Sequence, residues 1–437
     1  MSEINHLLSL LLSNESRSRE SIYLTPSENV LSPLAKLPFL LDAHHRYFLD
    51  DFRRFGQWYF PGGKQFENIE NDILAPLLKE LSGARYVNVR PISGMNCMTI
   101  ALAALAENGD RIMSLPVENG GHVSTSIVAE RLGLQLCHIP FSTTYDIDLD
   151  RMKSMLLEGQ PALIYIDQST LLFPLDPFSI RQLVDTVSPK TIIYYDSSHT
   201  NGLIMGKAMF NPLERGAHVM GGSTHKTLPG PHKGFLATNE KSISERINHY
   251  ANHFVSHHHP SSMLSLVITL VEMKFCGGET YAKKIILNSK AFAHELHNNG
   301  FQVAAEQRGY TDSHQVWAYI EDKSFMPVFL NCLQTAGIVV NHFDSLPGIA
   351  QPAMRLSLSE LTRCGADADV ARRLAKIMSS ILKEKFIDNE VRQKVKSIKQ
   401  QYSSPQYCFQ LNDIEIKSIS KSPTSFFNDL LLILFKY

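Results

Sequence analysis

The most informative stretch of this sequence surrounds a single lysine and reads Gly221-Gly222-Ser223-Thr224-His225-Lys226-Thr227-Leu228-Pro229-Gly230-Pro231. Thirty residues before this lysine, an apolar run over residues 191–196 ends in Asp196. A lysine framed by small hydroxylated residues can form a Schiff base with an aldehyde cofactor, and an aspartate at the end of a buried strand can keep the cofactor's ring nitrogen protonated. Lys226 and Asp196 together therefore predict a catalytic site that uses pyridoxal 5′-phosphate (PLP).

Outward from Asp196, the chain alternates short apolar runs with helical patterns. The apolar runs cover residues 86–89, 111–115, 162–167 and 191–196, and helical spacing covers residues 97–106 and 177–187. Continuous apolar runs are typical of strands buried on both faces of a mostly parallel sheet. The pattern predicts an α/β fold, in which ligands bind at the carboxyl ends of the strands.

The second half of the chain has a different organisation. A long helical pattern over residues 262–298, interrupted by Gly277-Gly278, precedes a mixture of strands and helices that predicts a smaller α+β domain. We predict four parts: an N-terminal arm (1–60), a large PLP-binding domain (61–260), a linking helix with a small domain (261–385), and a C-terminal extension (386–437). The apolar end of that extension is shorter than the ~20 residues that span a bilayer, so we expect it to dock on the protein surface.

Composition excludes several classes of function. The 437 residues carry a formal net charge of −1, which provides no electrostatic attraction to nucleic acid or to an anionic membrane. Six cysteines without a CxxC pair indicate free thiols in a reducing compartment, and the N-terminus lacks the basic region of a secretory signal, so a cytoplasmic location is expected. We interpret His257-His258-His259 as an interface loop rather than a metal site.

Further residues can be assigned to a cofactor or substrate by their chemistry. Ser93-Gly94 follows a predicted strand and opens a helix, whose N-terminus can bind a phosphate. His122, next to two glycines, could stack on a cofactor ring, and His199, three residues after Asp196, could contact the cofactor or the substrate. Arg355 could bind the substrate carboxylate with its two-pronged guanidinium.

Seven segments, read in order along the chain, match the motifs of one enzyme family. They are Ser27-Glu28-Asn29, residues 88–94, Gly120-Gly121-His122, Asp196-Ser197-Ser198-His199, residues 223–231, Thr311-Asp312-Ser313-His314, and Arg355 with residues 361–365. On these motifs, spread over residues 22–385, the chain resembles the serine hydroxymethyltransferases, PLP enzymes of fold type I in the aspartate aminotransferase superfamily.

The resemblance implies an architecture and a set of roles. It implies a large domain with a mostly parallel seven-stranded sheet, a smaller C-terminal α+β domain, and a homodimer with the active site at the interface. The catalytic residues it implies are Lys226, Asp196, His122 and His199. These four would also contact the cofactor, together with Ser93, Gly94 and Ser223. The substrate-binding residues it implies are Ser27, Tyr59 and Arg355.

Three departures separate this chain from the folate-dependent members. Met95 replaces a second serine after Ser93-Gly94, the segment 47–63 lacks the family's glutamate, and residues 255–260 replace a glycine-rich loop that reaches the partner subunit's phosphate. The L-threonine transaldolases, a branch that uses no folate, tolerate such losses and carry segments similar to residues 202–206 and 224–234, and Pro229 and Lys233 fit that branch better than the folate-dependent one. The resemblance therefore favours that branch.

The predicted reaction cleaves and forms the Cα–Cβ bond of β-hydroxy-α-amino acids through a glycyl quinonoid, with amino-acid and aldehyde substrates. The base for the β-hydroxyl group is left open between His122, His199 and the carboxylates of Asp50 and Asp51. The alternatives are a folate-dependent hydroxymethyltransferase, an aminotransferase, and a binding protein without catalytic activity.

Overall fold

The computed structural model describes residues 2–49, 58–384 and 389–410. Asp50, Asp51 and the apolar C-terminal end lie outside the described residues. In the described part, the strands are β1 (Ile22–Tyr23), β2 (Tyr86–Asn88), β3 (Arg111–Ser114), β4 (Gln135–His138), β5 (Leu163–Ile166), β6 (Ile192–Asp196), β7 (Val219–Ser223), β8 (Gly234–Thr238), β9 (Gln302–Val303), β10 (Gln315–Tyr319), β11 (Ile338–Val339), β12 (Asn341–Phe343) and β13 (Ala353–Ser357).

The α-helices of the same residues surround and connect these strands. They are α1 (Ser2–Glu20), α2 (Pro33–Lys36), α3 (Glu67–Ile69), α4 (Ala75–Ser82), α5 (Gly94–Leu105), α6 (Thr125–Arg131), α7 (Leu149–Glu158), α8 (Pro177–Val187), α9 (Asn201–Met205), α10 (Lys241–Phe254), α11 (Pro260–Phe275), α12 (Gly278–Asn298), α13 (Met326–Thr335), α14 (Ser359–Arg363), α15 (Ala368–Glu384) and α16 (Asn389–Gln401).

A seven-stranded sheet forms the centre of the fold. Its strand order is β2-β8-β7-β6-β5-β3-β4, and only β8 runs antiparallel to its two neighbours. Helices join the parallel strands, as expected for an α/β sheet covered on both faces. The predicted fold class, a mostly parallel seven-stranded sheet of PLP fold type I, is confirmed.

Apolar side chains on both faces of this sheet explain the continuous apolar runs in the sequence. Ile164 and Ile193 contribute to one core cluster, whereas Leu163 and Tyr194, their neighbours along the strands, contribute to a second cluster on the opposite face. Successive side chains of a strand point to opposite faces, so every position in such a strand is buried. The strands are therefore apolar throughout rather than alternating.

A smaller antiparallel sheet, with the order β12-β13-β10-β9, follows in the second half of the chain. Its apolar face packs on helices α13 and α15 in a separate core. Helix α12 connects the two regions, because Ile285 belongs to the core of the large sheet and Phe292 to that of the small sheet. The four domain boundaries proposed from the sequence stay predictions.

The parallel strands place several polar residues at one edge of the large sheet. Asp196 ends β6, and Asp167 directly follows β5. Lys226 lies three residues after the end of β7, whose Gly221 pairs with Asp196. The carboxyl ends of parallel strands meet at one edge, so residues far apart in sequence come together there.

Two further properties concern the cysteines and the length of the apolar helices. All six cysteines are free thiols. Within the described ranges, no single helix is long and apolar enough to cross a bilayer, although α11 and α12, which meet at 82°, pass that test as a pair by length and composition alone.

Candidate active site

A cavity of about 180 Å³ opens at the carboxyl edge of the large sheet. Seven of the residues predicted to form the site line it: Ser93, Gly94, His122, Asp196, His199, Ser223 and Lys226. The fold thus brings together residues spread over more than a hundred positions of the sequence. Arg355, Ser27 and Tyr59 lie outside this lining and are described separately below.

Lys226 occupies a largely buried position in the loop after β7. Burial lowers the pKa of its amine to about 8, with the positive charge of Arg355 acting in the same direction and the carboxylate of Asp196 opposing it. The Lys226 main chain is fixed from behind, because the amide of Asn29 donates to the Lys226 carbonyl at 2.6 Å. The site therefore presents an amine with a lowered pKa on a fixed main chain, which suits Schiff-base chemistry.

Asp196 is held by two donors at the end of β6. The hydroxyl group of Tyr165 donates to Oδ2 at 2.7 Å, and the amide nitrogen of Ser198 donates to Oδ1 at 2.9 Å. Gly222 on the neighbouring strand leaves the necessary space, since a Cβ there would lie 2.8 Å from Oδ1. The carboxylate is oriented in advance and could hold a cationic ring nitrogen without rearrangement.

The N-terminus of α5 forms the opposite part of the cavity. Ser93 is the N-cap residue, and its Oγ accepts a hydrogen bond from the Asn96 amide at 3.1 Å. Gly94 packs closely on β7, since a Cβ there would lie 3.1 Å from the Cβ of Ser223. The Ser223 hydroxyl is buried and has no protein partner among the described residues. A helix N-terminus and a buried unpaired hydroxyl are suitable donors for a phosphate.

His122 is held on the cavity wall by its own loop. Its Nδ1 accepts a hydrogen bond from the Ser124 amide at 3.2 Å, so the neutral ring carries its proton on Nε2. Burial lowers its pKa, and the charges of Lys226 and Arg355 act in the same direction. The neutral imidazole is an uncharged, planar group that could stack on a cofactor ring.

His199 forms a buried pair with a histidine that the sequence analysis did not assign to the site. Its Nδ1 lies 3.2 Å from Nε2 of His314, and their rings are stacked with centroids 5.3 Å apart. Burial lowers the pKa of His199 well below its usual value, and the charge of Lys226 adds to the effect. His314 belongs to the 311–314 motif, and this membership was the one feature of the sequence that could have assigned it to the site.

Arg355 reaches the edge of the large sheet from the small one. Its Nε donates to Oδ1 of Asn341, its cross-strand neighbour, at 3.0 Å, and its Nη1 donates to the carbonyl of Ser169 at 3.0 Å. Burial lowers the pKa of the guanidinium to about 10. A buried cation fixed by neutral acceptors is well prepared to bind a carboxylate.

The two remaining predicted residues lie apart from the cavity lined by Lys226. Ser27 lines a second cavity of about 430 Å³, which shares His225 with the first. Tyr59 is 47% exposed and packs its ring edge-on against Phe60. The structure thus places Ser27 beside the candidate site and leaves Tyr59 at the surface of this chain.

Sequence reasoning missed residues that support the site from outside. The hydroxyl group of Tyr281 donates to the carbonyl of Thr227 at 3.0 Å and accepts from Asn29 at 2.8 Å, so both residues fix the loop that carries Lys226. Tyr281 had no signal of its own, because a tyrosine inside a helical pattern is normally part of a core. Asn29 was marked only by its place in the Ser-Glu-Asn segment.

The three consecutive histidines pack on aromatic residues near the N-terminal arm. His257 stacks on Tyr47 and His258 on Phe48, each with ring centroids 4.5 Å apart. His258 also lies 3.5 Å from the carboxylate of Glu70. Among the described residues, no group of three or more His, Cys, Asp or Glu side chains is placed so that it could hold a metal ion.

These features fit PLP. The cofactor needs an amine for its aldehyde, a carboxylate for its ring nitrogen, and donors for its phosphate. Lys226, Asp196 and the Ser93-Gly94 helix N-terminus provide these groups around one cavity, and the unpaired hydroxyl of Ser223 supplies a further donor.

Comparison with known proteins agrees with this chemistry. The family described as serine hydroxymethyltransferase matches residues 2–378. An L-threonine:uridine-5′-aldehyde transaldolase of a Streptomyces species is 36% identical over 93% of this chain and 98% of its own length. The serine hydroxymethyltransferase of Archaeoglobus fulgidus is 35% identical over 90% of each chain.

Among solved structures, L-threonine transaldolase from Pseudomonas fluorescens, in its internal aldimine state, superposes with a TM-score of 0.86 at 26% identity. The match covers 100% of this chain and 97% of that one. The chain therefore belongs to the serine hydroxymethyltransferase family and is a PLP-dependent transferase of fold type I.

Proposed function

We propose that this enzyme is a threonine transaldolase: it releases acetaldehyde from L-threonine and joins the remaining glycine unit to a second aldehyde. The observation that carries the proposal is a contact between the replaced loop, residues 255–260, and Lys233, a residue that fits the transaldolase branch. The amine of Lys233, which is fully buried, donates to the carbonyl of His258 in the replaced loop at 3.0 Å. A buried ammonium needs such a partner, so the lysine and the loop form one unit that differs from the folate-dependent pattern.

Within this proposal, bound PLP supplies the electron sink for cleavage of the Cα–Cβ bond. Lys226 provides the amine, and its pKa of about 8 gives it a larger neutral fraction at neutral pH than an exposed lysine has. Asp196, oriented by Tyr165 and Ser198, keeps the ring nitrogen protonated. The Asp196 carboxylate and the main chain of Lys226 are fixed before the substrate arrives, which lowers the cost of reorganisation.

Arg355 binds the α-carboxylate of the substrate and thereby orients its Cα–Cβ bond. The proton of the β-hydroxyl group needs a neutral acceptor, and burial lowers the pKa of both His122 and His199, which keeps both imidazoles neutral. Asp50 and Asp51, the other candidates for this base, lie outside the described residues. We favour His199, because it lines the cavity with Lys226, whereas both ring nitrogens of His122 are occupied, Nδ1 by the hydrogen bond from the Ser124 amide and Nε2 by its proton.

The enzyme is proposed to act as a homodimer in the cytoplasm. Tyr59, which corresponds to a substrate-binding position of the family, lies away from the cavity of its own chain and is half exposed. A second copy related by a two-fold axis would bring the same surface to the other site. We therefore propose that Tyr59 serves the partner's active site.

The test is turnover of L-threonine by the purified holoenzyme without any folate. We expect release of acetaldehyde and, after addition of an aromatic aldehyde or uridine-5′-aldehyde, a new β-hydroxy-α-amino acid detected by mass spectrometry. Uridine-5′-aldehyde is included because two relatives at 36% and 37% identity carry it in their names. Absence of both products would contradict the proposal.

A folate-dependent hydroxymethyltransferase is the second candidate, because relatives with that name reach 35% identity over 90% of the chain. It predicts turnover of L-serine only when tetrahydrofolate is present. The same assay with L-serine and tetrahydrofolate decides between the two. Lys226→Ala serves as a control in both arms, since it should abolish the visible absorbance of the lysine-bound cofactor.

A further inference from the structure

A second carboxyl group lines the candidate active site. Asp167 directly follows β5, is 2% exposed, and lines the same cavity as Asp196 and Lys226. The proposed function gives Asp196 a role but leaves Asp167 without one. A buried carboxyl group beside a second one is costly, so its contacts indicate what it contributes.

Three donors converge on Asp167 from one loop. The Leu115 amide donates to Oδ1 at 3.1 Å, the His122 amide donates to Oδ2 at 3.2 Å, and the Thr125 hydroxyl donates to Oδ2 at 2.5 Å. Leu115 and Thr125 mark the two ends of the connection between β3 and α6, and His122 lies within it. A single carboxylate thus holds both ends of this loop and the residue that faces the cavity.

The rest of the loop has little packing of its own. Val117 and Val123 are 48% and 65% exposed. The Gly120 carbonyl accepts hydrogen bonds from the amides of Ser169 and Thr170 at 3.0 and 3.1 Å, and the Asn119 side chain donates to the Thr144 carbonyl at 3.2 Å. Asp167, Ser169 and Thr170 belong to one short segment, so that segment provides most of the hydrogen bonds that hold the loop.

The same segment also holds Arg355, through the Ser169 carbonyl at 3.0 Å and the Thr170 hydroxyl at 3.3 Å. It therefore sets the position of the His122 ring relative to the guanidinium. We propose that Asp167 is a positioning residue of this active site, which holds the β3–α6 loop so that the His122 imidazole lies on the face of the cofactor ring. This inference rests on the proposed role of His122 and gives it a structural cause.

The protonation state of Asp167 should affect this anchoring. Burial raises its pKa to about 7, with nearby Asp196 acting in the same direction and the three donors opposing it. The titratable groups around it are Asp196 at the end of neighbouring β6, Tyr165 on β5 itself, and His122 in the loop. As a carboxylate it accepts from all three donors, whereas the protonated form has a donor of its own and accepts less well. Anchoring should therefore strengthen as the pH rises through 7.

The experiment compares the wild-type holoenzyme with Asp167→Asn, in the absence of substrate. The amide keeps the shape of the side chain but points a donor at one of the three donors. We expect the absorbance of the lysine-bound cofactor to remain, the circular dichroism induced in that band to fall, and PLP to dissociate about tenfold faster, as for the loss of a buried charged hydrogen bond. A change of the dichroic band between pH 6 and 8 should occur in the wild type and not in Asp167→Asn.

Two further variants make the result specific. Thr125→Val removes one donor and leaves the carboxylate in place, so we expect a smaller change in the same direction, and this variant carries the test if Asp167→Asn does not fold. Asp148→Asn is the control, because asparagine is an equally good N-cap for α7. Dichroism and PLP release that match the wild type from pH 6 to 9 in both Asp167→Asn and Thr125→Val would overturn the proposal.

The outcome is independent of the overall reaction. All readouts come from the bound cofactor without substrate, so a folate-dependent enzyme would give the same result if Asp167 positions His122. Failure of the transaldolase assay together with the expected dichroic change would support the role of Asp167 and contradict only the proposed function.

Discussion

At the level of single residues, the burial of Lys226 has a cost that can be measured. Its amine has a pKa of about 8 in the folded protein against 10.5 for an ordinary lysine. Below pH 8 both the folded and the unfolded state carry the proton, and the folded state bears the full cost of a buried charge. Between pH 8 and 10.5 the folded state has released the proton while the unfolded state has not, so stability rises with pH in that range.

Lys226→Met should therefore stabilise the protein free of PLP. At pH 7 we expect the free energy of unfolding to increase by about 1–3 kcal/mol relative to wild type, with the difference vanishing towards pH 10.5. Urea denaturation of the PLP-free proteins at several pH values measures it. Lys241→Met, at an exposed lysine, should change little. A Lys226→Met protein no more stable than wild type at pH 7 would contradict the cause given for the lowered pKa.

Arg355 allows a second test at this level. Arg355→Ala should raise KM for L-threonine by about 30-fold or more, because a buried charged contact with the substrate carboxylate is lost. Arg355→Lys should recover only part of it, since an ammonium cannot form the two parallel hydrogen bonds of a guanidinium. Asn341→Ala removes only the contact with Nε and should cause a smaller rise. Equal KM values for wild type and Arg355→Ala would remove Arg355 from the substrate site.

At the level of elements, the sequence predicts β5 and β6 because both strands are covered on both faces of the sheet. The apolar runs at residues 162–167 and 191–196 contain these strands, since such a run is stable where apolar neighbours cover both of its faces. The sequence analysis did not identify three strands of the large sheet, β4, β7 and β8. β4 is a partly exposed edge strand, and β7 contains Gly221 and Gly222, which weaken strand propensity.

In the candidate site, too, some residues could be predicted from the sequence and others could not. Lys226, Asp196 and His122 could be predicted because each belongs to a motif with a chemical role. Asp167 could not, because, unlike Asp196, it lies in none of the seven family motifs, and its three partners become neighbours only when β3 and β5 pair. The glycines of β7 acquire their meaning only in the structure, where a Cβ at Gly222 would lie 2.2 Å from Oγ of Ser198.

The β3–α6 loop gives a prediction at this level. Gly120 has φ of +96°, and a Cβ there would lie 2.0 Å from the carbonyl oxygen of Thr170. Gly109 has a similar φ of +91° but open space around it. Gly109→Ala should therefore cost about 1 kcal/mol, from backbone strain alone. Gly120→Ala should cost about 3 kcal/mol or more, because the loop must also move.

Urea denaturation of the two holoenzymes compares these costs. The displaced loop in Gly120→Ala should also release PLP faster, whereas Gly109→Ala should retain the wild-type rate. The same loss of stability in both variants would mean that the close approach of Gly120 to Thr170 is not a constraint on the loop.

At the level of the whole molecule, the candidate site depends on three distant parts of the chain. The large sheet provides Lys226 and Asp196, the small sheet provides Arg355, and the N-terminal segment provides Asn29. A buried ion pair between α11 and α14 connects the large sheet to the small one. Nη2 of Arg363 lies 2.9 Å from Oε2 of Glu272, and both side chains are 1% exposed.

This pair joins α11, which packs on the large sheet, to α14, which follows the small sheet. Nη1 of Arg363 also donates to the carbonyl of Tyr407, and the Arg363 carbonyl accepts from the Gln406 amide at 2.9 Å. Tyr407 packs on Tyr281, which holds the Lys226 loop through the Thr227 carbonyl. The segment after α16 is thus connected to the Lys226 loop through Tyr407 and Tyr281, and Arg363 holds that segment in place.

Arg363→Met should destabilise the protein by about 3–5 kcal/mol, because it leaves the Glu272 carboxylate buried without its charged partner. Replacing both partners, as in Arg363→Met with Glu272→Leu, removes the unpaired charge and should recover most of that loss.

Lys283→Ala, which breaks an exposed pair with Glu279, should cost less than about 0.5 kcal/mol and serves as the control. Urea denaturation gives the three free energies, and proteolysis reports release of residues 402–410 in the single variant. If the double variant were as unstable as the single one, the lost contacts of the arginine with Tyr407, rather than the unpaired carboxylate, would account for the destabilisation.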